Sequence, residues 1–158
     1  IGDESFMNCL LLEKINVPLT TFRIGQHAFA NCQHLEHISL ADQVHSIEAG
    51  AFRDCKMLLE IKMPEQLETL GEEAFRHCLN MRKVELNHKL TAIPARAFME
   101  CKGLKEITIE NPIETIGDEA FYDCTRLKNV TMNADIISWG KNAFKNTQVD
   151  VQALTEEF

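Results

Sequence analysis

The chain lacks several things that would have narrowed its class at once. No apolar run approaches the roughly 18 residues needed to span a bilayer, so no segment is expected to insert into a membrane. The first residue is not methionine, and neither the basic stretch nor the apolar core of a secretory leader follows it. Ile1 opens in the middle of a pattern, so the chain is expected to be a piece of a longer array whose N-terminal coils are missing. Basic residues are outnumbered, 16 Lys and Arg against 24 Asp and Glu, and the net charge of -8 argues against a nucleic-acid or anionic-lipid surface. No phosphate loop, dinucleotide fingerprint or G-x-S-x-G elbow is present.

What is present is a repeat. Cysteines stand at Cys9, Cys32, Cys55, Cys78, Cys101 and Cys124, each 23 residues after the last, and Thr147 fills the next slot. Disulfide frameworks rarely space cysteines evenly, and zinc sites want pairs two to four residues apart. An even ladder means one structural slot filled repeatedly, so buried free thiols are expected rather than bridges or a metal site. Phe6, Phe29, Phe52, Phe75, Phe98, Phe121 and Phe144 keep the same step, preceded by Ser5 and then by alanine. Ile1, Ile24, Ile47, Leu70, Ile93, Ile116 and Trp139 open the frames. We divide residues 1–158 into a single array: six frames over 1–138, then a shortened, polar frame over 139–158 that should cap the C-terminal end.

Two patterns alternate inside a frame. Leu104, Ile107 and Ile109 read L-x-x-I-x-I, ending in the alternation of a strand, and the other frames repeat it, as in Leu58/Ile61/Met63. A strand that recurs once per frame on the same side must stack in parallel. Pro18, Pro64 and Pro112 then mark a turn, and Val44, Leu67, Leu90, Ile113 and Ile136 point inward again. The remaining arc, such as "GDEAFYDC", is expected to make one or two helical turns. Glycine at its start (Gly2, Gly25, Gly71, Gly117, Gly140) would ease a tight bend, and acidic residues such as Asp3 and Asp118 would cap free N–H groups. The acidic rows are broken at Gln26/His27 and Ala95/Arg96, which argues against a calcium site.

L-x-x-I-x-I at this period, joined to "I-G-x-x-A-F-x-x-C", resembles the BspA-like (TpLRR) class of leucine-rich repeat proteins across the whole chain. The Asn ladder of commoner leucine-rich repeats is missing, and the cysteine column is expected to serve as a small buried rung instead. The resemblance implies an α/β repeat: a right-handed solenoid with a parallel sheet on its concave face and short helical turns on the other side. It also implies an extracellular or cell-surface protein that works as an adhesion or ligand-binding module.

Exposed strand positions on the concave face form two rows. The first is Lys14, His37, Glu60, Lys83, Glu106 and Asn129; the second is Asn16, Ser39, Lys62, Glu85, Thr108 and Thr131. Their charges alternate, so Glu60–Lys83–Glu106 and Lys62–Glu85 can pair across strands. These rows are the candidate binding surface for a protein or glycan, although neither contains an aromatic anchor. The alternative is a solvated face on a structural spacer that presents another domain. Histidines are scattered over different columns, and a buried thiol without an adjacent base is inert, so no catalytic role, cofactor or metal is expected. A monomer is expected. Phe22, Ile137, Met7, Met99 and Tyr122 break their columns, and Phe22 should be exposed.

Overall fold

The structure, a computed structural model, describes residues 1–132 and 138–156; the expectations for Ile136 and Ile137 lie outside the described residues. Strands β1 (Lys14–Asn16), β2 (Arg23–Ile24), β3 (His37–Ser39), β4 (Ser46–Ile47), β5 (Thr69–Leu70) and β6 (Lys83–Glu85) come first. They are followed by β7 (Ala92–Ile93), β8 (Glu106–Ile109), β9 (Thr115–Ile116), β10 (Asn129–Met132), β11 (Ser138–Trp139) and a helix, α1 (Ala153–Glu156). Every strand pair is parallel and joins residues 23 apart, such as Lys14 to His37, Lys83 to Glu106 and Ile93 to Ile116. The fold is a parallel-strand β-solenoid. One strand face holds β1–β3 and β6–β8–β10; a second, of two-residue strands, holds β2–β4–β5 and β7–β9–β11.

The interior is the repeat read end to end. Phe29, Phe52, Phe75, Phe98 and Phe121 are fully buried, with the alanine before each and the leucine or methionine that opens each strand segment. The seven frame phenylalanines stack with ring centroids 5.2–5.5 Å apart and planes within 7° of parallel. Each buried ring contributes about 1.5–3 kcal/mol through area removed from water, and the offset-parallel contact adds to it. At the C-terminal side, Trp139 meets Phe144 edge-on at 6.3 Å. Val149, Val151 and Leu154 are half-buried against the same core.

The helical turns expected on the far side do not form. Residues 2–9 of each frame are a chain of turns, and α1 is the only helix among the described residues. The reason lies in where the backbone N–H groups go. In the first frame, Ser5, Met7 and Cys9 donate back three residues, to Gly2, Glu4 and Phe6. Glu4, Phe6 and Asn8 donate instead to Gln26, Ala28 and Ala30 of the next coil. An α-helix needs every N–H for its own chain; here every second one is taken by the neighbour. The alternation is set by left-handed residues at two fixed positions, Glu4 and Asn8 in the first frame, Glu73 and His77 in the fourth. Asparagine and aspartate fill the second position in five frames, at Asn8, Asn31, Asp54, Asp123 and Asn146, where their short polar side chains tolerate positive φ.

The glycines and carboxylates also act between coils. Gly71 and Gly117 do not have positive φ; a Cβ on either would strike the backbone of the coil before it, at Glu48–Ala49 and at Pro94–Ala95. Asp3 and Asp118 accept from the N–H of Gln26 (3.0 Å) and Lys141 (2.8 Å), each one coil onward. Arg96, which interrupts the acidic rows in sequence, sits among Glu72, Glu73 and Glu119 at 3.1–3.8 Å and closes an ion-pair network on this side.

The cysteine column is a hydrogen-bonded rung. All six thiols are free. From Cys32 to Cys124, each S–H donates to the phenylalanine carbonyl of the preceding coil, at 3.0–3.2 Å. Burial pushes the Cys32 thiol up to about 11, and Cys55, Cys78 and Cys124 further in the same direction. Thr147, in the same slot, donates to Phe144 of its own coil instead, at 2.7 Å.

Both strand faces are interrupted near the middle. Leu58, Ile61 and Met63 point inward as expected, yet residues 60–63 form no strand and make no backbone–backbone hydrogen bond. One frame later, β5 and β7 are adjacent but unpaired. Two bonds made at the neighbouring junctions are missing: Thr91 N–H does not donate to Glu68, and Pro94 has no N–H to give Leu70.

Candidate recognition face

All twelve predicted residues lie outward on the longer-strand face. Ten are exposed; Glu106 and Thr108 are half-buried. Strand pairing aligns Lys14 with His37 and Asn16 with Ser39 on one side of the interruption. On the other it aligns Lys83, Glu106 and Asn129 in one row and Glu85, Thr108 and Thr131 in the next. Alternation along each strand turns the residues between them inward.

The expected charge pairing holds only where the sheet is intact. Lys83 Nζ lies 3.6 Å from Glu106 and 2.5 Å from Glu85 on its own strand, and the Glu85 carboxylate holds the ammonium above its usual range. Lys62, on the unpaired segment, turns to Asp42 at 3.6 Å instead of Glu85. Glu60 has no ion-pair partner among the described residues, so Glu60–Lys83 is not made.

The interruption opens a groove of about 800 Å³. His37, Ser39, Glu60, Lys62, Lys83 and Glu85, half of the predicted set, line it. Lys14, Asn16, Glu106, Thr108, Asn129 and Thr131 flank it on the paired strands. The sequence reading missed the rim beyond the strand ends. Lys89 there donates to Gln66 at 2.5 Å, and His88 lies 3.4 Å from Glu110. Asn87 Nδ2 reaches the carbonyls of Pro64, Glu65 and Leu67 at 2.8–3.2 Å, while its Oδ1 accepts from Leu90 N–H. Its replacement of the proline found at Pro18 and Pro64 was the one visible signal.

The groove has a polar wall and an apolar floor. Its wall offers carboxylates, ammoniums, imidazoles and a hydroxyl over an apolar floor that includes Ile38, Ile61 and Leu86. The thiols are all interior or on the turn side, and His77 is bonded to Asp54 there, at 2.7 Å. Among the described residues, no group of three or more His, Cys, Asp and Glu side chains is placed to hold a metal ion.

A 23-residue parallel β-solenoid with an inward L-x-x-I-x-I segment defines a leucine-rich repeat protein. Within that class, the chain matches the family described as BspA type leucine rich repeat region, six copies, over residues 1–102 and 24–151, and it belongs to that family. None of the curated proteins matches it. Among solved structures it is similar to the leucine-rich repeat protein TpLRR of T. pallidum, with TM-score 0.81, 27% identity and 89% of this chain covered. A leucine-rich repeat protein of Bacteroides ovatus aligns with TM-score 0.72, 28% identity and 94% coverage. A leucine rich cell surface protein of Faecalibacterium prausnitzii shares the fold, with TM-score 0.57, 23% identity and 85% coverage. The chain spans 65%, 45% and 29% of the lengths of these three proteins.

Proposed function

We propose that the chain is a non-catalytic recognition module of a secreted or cell-surface protein, binding a protein or glycan partner across the longer-strand face. Family membership and the description of the F. prausnitzii protein as a cell surface protein support the location. The observation that carries the reading is the groove where the strand ladder opens, because six outward polar residues from three successive coils converge on one concavity there.

The test is binding of the purified protein to a panel of immobilised glycans and extracellular proteins, repeated with Lys62→Glu and Lys83→Glu. A partner that uses the groove should bind about tenfold more weakly to either variant. Unchanged affinity would move the site to the turn side. Retention of no member of the panel would favour the second reading, a spacer that presents another domain. The phenylalanine stack, running unbroken from Phe6 to Phe144, supports that reading by making the array stiff.

A further inference from the structure

The column just before the outward strand rows behaves unlike them. It reads Glu13, Glu36, Leu59, Arg82, Lys105 and Lys128. Its members stack directly on one another: Glu36 N–H donates to Glu13 O at 2.8 Å, Lys105 to Arg82 at 2.9 Å and Lys128 to Lys105 at 3.1 Å. All six are outward, and all but the half-buried Glu36 are exposed. Where the neighbouring row interleaves its charges, as Lys83 with Glu106, this column segregates them: two acids, a leucine, then three cations.

Cations on adjacent coils lie about 4.8 Å apart at the backbone, and like charges directly opposite one another destabilise a sheet. A structural role would have placed carboxylates between or beside them. Instead, Arg82, Lys105 and Lys128 have no ion-pair partner among the described residues. Arg126 adds a fourth cation, two residues before Lys128 across the buried Leu127, and it too is exposed and unpaired among the described residues. Other arginines of the molecule are engaged: Arg23, Arg53, Arg76 and Arg96 all sit on carboxylates. On a chain of net charge -8, these four exposed cations, without an ion-pair partner among the described residues, gather positive charge beside the strand face.

We propose that Arg82, Lys105, Lys128 and Arg126 form a subsite for a sulfated linear glycan. This rests on the recognition-module reading and names a partner class for it. A linear polyanion matches a straight row that spans about 10 Å over three coils. The row has no aromatic side chain on which a nucleobase could stack. The rest of the surface is acidic and would repel an anionic bilayer, whereas a single extended chain can touch the edge alone. The stripe borders the strand face, so a glycan held there lies beside the groove rather than in it.

The experiment is titration of the intact chain with a sulfated heparin oligosaccharide, its desulfated counterpart, a single-stranded oligonucleotide and phosphatidylserine vesicles. The sulfated oligosaccharide should bind and the desulfated one should not, with log affinity falling against log salt at a slope of about 3 to 4 for four sulfate contacts. Arg82→Gln/Lys105→Gln/Lys128→Gln should weaken binding by about tenfold or more. Lys56→Gln/Lys141→Gln/Lys145→Gln, which changes net charge equally, should leave it within about twofold. Circular dichroism and thermal midpoints show whether both variants are folded. The proposal is overturned if the oligosaccharide fails to bind at low salt, if the two triple variants lose affinity equally, or if the oligonucleotide or vesicles bind as tightly. Loss of oligosaccharide binding in Lys62→Glu with the stripe variant unaffected would overturn it too, while leaving the groove reading standing.

Discussion

The turn side and the strand side of this solenoid are built from the same repeat, yet only one is continuous. On the turn side, three inter-coil backbone bonds recur at all six junctions, from Glu4, Phe6 and Asn8 in the first to Glu119, Phe121 and Asp123 in the last. The phenylalanine stack beneath them has no gap. On the strand side, residues 60–63 drop out of the ladder and β5 is unpaired from β7. The difference shows where this molecule can tolerate irregularity. The turns are held by a buried column that must be occupied at every coil, while the strand segments are anchored mainly by their inward side chains. Ile61 and Met63 stay buried even though their backbone is unpaired, so the outer surface can open without loss of the core.

That comparison can be broken most severely from the turn side. Phe75→Ala leaves a hole in the middle of the stack and should cost about 3–5 kcal/mol, read as a drop in the denaturant midpoint. Ile61→Val, under the open ladder, should cost about 0.5–1.5 kcal/mol.

Alkali should act on the turn side next. The thiols of Cys32, Cys55, Cys78 and Cys124 have their folded pKa raised by burial, so their contribution to stability is complete below the unfolded value of about 9 and is lost as pH rises from there. For Cys32 the loss is complete at about 11. The unfolding free energy should fall by about 1.4 kcal/mol per pH unit for each of these four thiols while it titrates in the unfolded state alone. Denaturation at a series of pH values measures it, and a flat profile above pH 9 would contradict the rung of protonated thiols.

On the strand side, Asn87→Ala removes the amide that ties the Pro64–Leu67 loop to the groove rim. It should cost about 1–3 kcal/mol, with faster hydrogen exchange at Leu67 and Leu90 as the local signature. The smallest effect sharpens the contrast. Pro94→Ala restores the missing donor opposite Leu70 and should shift stability by less than about 1 kcal/mol, while its new amide gains exchange protection. Absence of protection there would mean that proline is not what separates β5 from β7.

Much of the interior was legible because burial is decided column by column. A residue type that recurs every 23 positions faces the same neighbours each time, so the phenylalanines, the inward leucines and the free thiols could be assigned from spacing alone. The two polar rows followed from the same count. The turn side was misread for an equally physical reason. "GDEAFYDC" has the local composition of a short helix with an acidic start, and nothing within those residues reveals that every second N–H finds its acceptor a full coil away. The glycines were assigned to the right slot with the wrong cause; their freedom is used for close approach of two coils, not for a bend.

The period, the inward columns and the parallel stacking were therefore set by the one-dimensional pattern, since equivalent slots must be filled equivalently. The left-handed turns, the thiol-to-carbonyl bonds, the groove at residues 60–63 and the cations Arg82, Lys105 and Lys128, without an ion-pair partner among the described residues, were decided only by stacking. Each depends on a partner, or the lack of one, in a neighbouring coil, and a backbone donor or a surface charge has no fixed meaning until that neighbour is in place.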